Sequence, residues 1–298
     1  MKTLQHTRQV FPGHSSGFSL TCYFVNKEME EEIDLVDAVH KVLQKELDER
    51  ESFLTKEDIM KLLVNDNAEA RPFREGCKGY PAHPLYKEIG SVLQKWLDTG
   101  HCIVLDLPTY ELFDEQGYEQ VRQEYTKSIE GMMVGFKSLW SVWSPDERFY
   151  RVREILQRLG KRGLMDMLGI RKTVGTCEMF PPPRYTLEET FNEKHSANSE
   201  LTVGARALAK HGHRDQTASW WGKSTGTEEA KNAHAVKVID RILNEATWIN
   251  IHQLQHQVEI LEIRQIDGYG ARWSADGATF RGFLEPQMTE GWTCGYRH

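Results

Sequence analysis

The feature that most constrains this chain is a change of period near residue 247. Before it, apolar residues recur every three or four positions, the mark of helices buried on one face. Beyond it, apolar and polar residues alternate, which suits strands whose side chains point to opposite sides. Residues 247–252, 258–265, 269–275 and 278–285 read as four strands of an antiparallel meander. Asp276-Gly277 suits a two-residue hairpin turn, because that pair tolerates the positive φ such turns need. The turn places Trp273 opposite Phe280, Arg272 opposite Arg281, Ala271 opposite Gly282 and Tyr269 opposite Leu284. The preceding turn fits a three-residue loop, 266–268, with Gly268 left-handed. That register puts Leu261 opposite Trp273 and Ile263 opposite Ala271. It keeps one face apolar, whereas a slip of one residue inverts every side chain.

The opposite face then collects Glu262, Arg272 and Arg281, joined by Trp248, Asn250 and His252 when Ile249 and Ile251 point to the core. Directly opposed arginines repel. Glu262 neutralises one of them. A bound carboxylate or phosphate would neutralise the other, and the planar guanidinium fork fits either anion. The pattern points to an enzyme that binds a small anionic molecule on the polar face of the sheet. Arg272, Arg281, Asn250 and Trp248 are its candidate substrate-binding residues, and Glu262 and His252 its candidate acid–base groups. The competing reading is a non-catalytic scaffold, with Trp220, Trp221 and Trp292 exposed for a protein partner. The two differ in whether the polar side chains converge on one pocket.

The rest of the chain reads as follows. Residues 1–29 form an irregular start: the first 27 carry no Asp or Glu, and Pro12, Gly13 and Gly17 break any targeting helix. Residues 30–170 are a helical region with one strand at 101–108, an apolar run ending at Pro108. Thr55 caps one helix, Pro84 opens another that Gly100 closes, and Ser144-Pro-Asp-Glu147 is a capping box. Residues 171–198, with three consecutive prolines and a brief helix capped by Thr186, form a connecting segment. Residues 199–298 hold a helix at 202–210, a second begun by Thr225-x-x-Glu228, and the meander. The fold class is α+β, a mostly helical N-terminal region packed with a C-terminal antiparallel β-meander around one shared core.

Charge and cysteine usage narrow the partners. The chain has 37 Lys+Arg against 44 Asp+Glu, a net −7, which argues against a broad nucleic-acid or anionic-membrane surface. No apolar stretch reaches the length of a bilayer-spanning helix. Five scattered cysteines with no Cys-x-x-Cys pair suit a reduced, cytoplasmic protein. The phosphate-loop, dinucleotide, His-Glu-x-x-His and Gly-x-Ser-x-Gly signatures are absent.

A second cluster, His211, His213 and Asp215, has the ligand types for a divalent metal, with His252 or His256 to complete it. His213-x-Asp215, a later His252 or His256, and Arg272-Trp-Ser274 resemble the motif order of the 2-oxoglutarate/iron(II) dioxygenases. The resemblance implies a jelly roll, iron held by His213, Asp215 and the distal histidine, and a carboxylate gripped by Arg272 and Ser274. This chain departs from that pattern where a helix fills the interval in which the jelly roll places strands.

Overall fold

The computed structural model describes residues 33–65, 79–108, 115, 118–211 and 220–286. Five helices come first: α1 (Leu35–Glu46), α2 (Lys56–Leu63), α3 (Leu85–Thr99), α4 (Tyr118–Leu139) and α5 (Pro145–Met167). Three shorter-range neighbours of the sheet follow: α6 (Arg184–Asn192), α7 (Val203–His211) and α8 (Glu228–Asn244). The chain then forms β1 (Trp248–Gln253), β2 (Glu259–Arg264), β3 (Gly270–Ser274) and β4 (Phe280–Leu284). The helical region packs against an open, four-stranded antiparallel meander in the order β1-β2-β3-β4. This is the expected α+β class. It is a single meander, not the jelly roll that the dioxygenase resemblance implies.

Local chemistry sets most helix ends. Thr55 and Ser144 accept from the amides of Asp58 and Glu147, and Glu147 reaches back to the Ser144 amide, closing the capping box. Gly100 ends α3 with φ 72°. Two expected caps are displaced. The cap of α8 is Thr227, whose hydroxyl accepts from Ala230, rather than Thr225. Gly226, at φ 92°, turns the chain just ahead of it, so the helix starts no earlier. Thr186 lies inside α6, which begins directly after Pro183, the last of the three extended prolines.

The expected strand at 101–108 does not form. Ile103–Asp106 coils into a 3-10 turn, tied by His101 Nε2 to Asp106 at 2.9 Å. Among the described residues no strand lies beside it, and an apolar run without a partner strand must satisfy its backbone locally.

The sheet register follows the alternation across three strands. Ile249 pairs with Ile263, Ile251 with Leu261, Leu261 with Trp273 and Ile263 with Ala271. The loop before β3 has three residues, with Gly268 at φ 87°. Between β3 and β4 the register shifts after Trp273–Phe280: Arg272 pairs with Gly282 and Ala271 with Phe283. The expected Arg272–Arg281, Ala271–Gly282 and Tyr269–Leu284 pairs are therefore corrected. Strict alternation from Phe280 would have buried glycine and exposed Phe283. One extra residue reverses that, and Gly282 takes φ 134° to allow it. Both phenylalanines are buried, edge-on to Phe191 of α6. Trp273 is fully enclosed, and its Nε1 donates to the Leu187 carbonyl at 3.2 Å.

Residues 170–177 run along the outer edge of β1. Arg171 and Cys177 donate their amides to the carbonyls of Ile249 and Ile251, each at 2.7 Å. Gln253 donates back to Gly175 at 2.9 Å. This strap, which falls within the expected connecting segment, covers what would otherwise be a bare strand edge.

Candidate functional site

The alternation of β1, β2 and β3 puts Trp248, Asn250, His252, Glu262 and Arg272 on the face opposite the apolar core. Glu262 is the centre. It pairs across the sheet with Asn250 on one side and Arg272 on the other, and only 2% of its surface is exposed. Arg264 Nε donates to its Oε1 at 2.6 Å. Arg272 donates to Oε2 through Nε at 3.2 Å and Nη2 at 2.7 Å. His252 Nε2 lies 3.3 Å from the same oxygen. Burial by itself would push this carboxyl up. The His252 hydrogen bond and the Arg264 and Arg272 charges overcome it and hold Glu262 well below the usual carboxylate range.

Two of these groups reach solvent. The Arg272 side chain is 27% exposed and that of His252 is 18% exposed. With Nε2 turned to Glu262, His252 has Nδ1 left to meet a ligand. The carboxylate orients the ring, as an orienting acid does for a proton-transferring histidine. The arrangement can move one proton beside one guanidinium.

The other expected site residues stand differently. Asn250 is fully buried: the Thr176 hydroxyl donates to its Oδ1, and its Nδ2 donates to Thr173 Oγ1, both at 3.0 Å. Trp248 is buried too, with Nε1 donating to Glu115 at 2.9 Å. Arg281 is exposed on the bulged strand. His211 ends α7, where Nδ1 lies 3.1 Å from Glu285 and the ring meets Trp221 and Phe283. His213 and Asp215 lie outside the described residues, as does Trp292. Among the described residues, no three His, Cys, Asp or Glu side chains cluster as a metal site. Trp221 is buried. Trp220 stacks on Tyr269 at 4.3 Å, with the Arg241 guanidinium 3.7 Å from its ring.

Sequence reasoning missed four contributors. Arg264 had a signal: it follows Glu262 by two positions in one strand and so shares its face. Glu115, Thr173 and Thr176 had none, since nothing local says which distant segment lies beside β1.

Residues 190–285 match the CdiA C-terminal tRNase toxin domain. The crystal structure of the toxic C-terminal tip of CdiA from Pseudomonas aeruginosa, in complex with immune protein, is 31% identical to this chain. That match covers 33% of this chain and 99% of the other, with a TM-score of 0.29. No curated protein matches the chain. The C-terminal region, carrying α7, α8 and the whole sheet, thus aligns with a toxin domain of the tRNase class.

This overturns the expectation that nucleic acid is excluded as a partner. That expectation rested on the charge of the whole chain. Residues 190–285 hold 11 Lys+Arg against 12 Asp+Glu, so only −1 of the net −7 falls on them. The acidity belongs to the residues that precede 190. Among the described residues no helix is long and apolar enough to cross a membrane.

Proposed function

We propose that the C-terminal region is a ribonuclease that cleaves tRNA, with the polar sheet face as its active site. The family match over residues 190–285 carries the reading, and the His252–Glu262–Arg272 constellation gives it a chemistry. The anionic group expected at this face is then a phosphodiester. His252 takes the proton of the ribose 2′-hydroxyl as that oxygen forms a bond to phosphorus. Arg272 neutralises the charge that builds on the non-bridging oxygens. The bond from phosphorus to the 5′-oxygen breaks, and water supplies the proton to the leaving oxygen. Glu262 stays ionised and holds the imidazole in place. The products are a 2′,3′-cyclic phosphate and a 5′-hydroxyl end.

The test is incubation of the full chain with total tRNA, read on a denaturing gel. Cleavage with 5′-hydroxyl ends is expected, and His252→Ala should lose on the order of 100-fold or more in rate. Intact tRNA at stoichiometric protein, or an unchanged rate in His252→Ala, would overturn the reading.

A further inference from the structure

The matched region begins at residue 190, yet the polar face is not complete without residues that precede it. His252 sits between two strap hydrogen bonds, the Cys177 amide to the Ile251 carbonyl and the Gln253 amide to the Gly175 carbonyl. Its backbone also bridges to Thr176. Two positions earlier on the same face, Asn250 has both amide atoms satisfied by Thr173 and Thr176. Four positions earlier, Trp248 is tied to Glu115, which Arg171 grips through Nε at 3.0 Å and Nη2 at 2.7 Å. Every second residue of β1 on this face is thus fastened to the chain between Glu115 and Cys177. The His252–Glu262 distance of 3.3 Å is at the long end for a hydrogen bond, so a small displacement of β1 would break it.

We propose that residues 170–177 position His252 against Glu262, acting through Thr173, Thr176 and Asn250. The claim rests on the reading of His252 as the proton-transferring group. Thr173 and Thr176 are positioning residues: each acts through β1.

The experiment uses the full chain with Thr173→Val and Thr176→Val together, which removes both hydroxyl partners of Asn250. Folding is checked by circular dichroism, and Thr176→Val alone serves if the double variant does not fold. Two readouts are taken: the His252 ring resonances by NMR, and the kinetics of tRNA cleavage. The expected result is displaced His252 resonances and a kcat lowered about tenfold with KM little changed, as for a group moved out of its reactive geometry. Thr173→Ser with Thr176→Ser should restore both. Resonances that coincide with those of the parent chain in the folded valine variant would overturn the positioning role, as would a rate within twofold of it. Displaced resonances in a protein that never cuts tRNA would keep the positioning role and remove the ribonuclease reading. Unmoved resonances in an active enzyme would do the reverse.

Discussion

The two faces of the C-terminal sheet are both buried, but by different physics. On one, Ile251, Leu261, Ile263, Trp273 and Phe283 lie under α6, α7 and α8, and their stabilisation scales with the apolar area removed from water. On the other, Glu262, Arg264 and Asn250 are equally enclosed, and each survives there because its polar atoms are matched one by one. The first kind of burial is non-directional and tolerates repacking. The second fails when a single partner is lost. That asymmetry pre-orients the polar side: groups held by directional bonds are fixed in place, and His252 and Arg272 stand at the solvent margin of such a network.

The largest stability effect should come from the polar side. Glu262→Gln removes the charge that two arginines share, leaving them facing a neutral amide. A loss of about 3–5 kcal/mol is expected at neutral pH, measured by urea unfolding. The pH dependence gives a second check. The Glu262 carboxyl is held below its unfolded value, so its stabilisation is present above about pH 4.3 and fades as pH falls toward the lower folded value. The gap between the parent chain and Glu262→Gln should therefore shrink as the pH is lowered below that point. A gap that stays constant with pH would mean that the carboxylate charge is not what holds this face.

Leu261→Ala is the counterpart on the apolar side. Leu261 is fully buried, and the loss should be about 2–5 kcal/mol with no such pH dependence. If both variants lose stability in parallel across the pH range, the distinction between the faces collapses. The smallest effect concerns the helix that covers the apolar face. Thr227→Ala should cost about 1 kcal/mol through its lost cap, whereas Thr225→Ala should be near neutral. Thermal melts of the two single variants decide which threonine starts α8.

Much of this was legible from local pattern. The alternation of Ile249, Ile251, Leu261, Ile263, Ala271 and Trp273 fixes which residues share the apolar face, and the three-residue loop 266–268 sets the β2–β3 register that the structure adopts. The pairing of Glu262 with Arg272 follows from that register, and the parity of β1 puts His252 on the same face; the offset of β1 that brings His252 to Glu262 came from the structure. The bulge at Arg281–Gly282 was legible only in part. Phe280 and Phe283 are three apart, which conflicts with a period of two, and the conflict is relieved by inserting a residue rather than by exposing a ring. The strand expected at 101–108 shows the converse: hydrophobicity without a partner does not make a ladder. The charge argument failed because a sum over the chain averages an acidic helical region with a near-neutral C-terminal one.

The sequence by itself determined which side of β1, β2 and β3 each residue faces, where most helices begin and end, and hence which side chains of those strands share the polar face. Periodicity and capping are properties of neighbours along the chain, and neighbours are what a sequence displays. Only the tertiary structure decided what lies against those faces: that α6–α8 cover one of them, that Asn250 and Trp248 are claimed by Thr173, Thr176 and Glu115, and that His252 and Arg272 keep an opening to solvent. Those contacts join residues 74 to 133 positions apart. At such separations, partners are selected by the packing of the whole core, which no local pattern records.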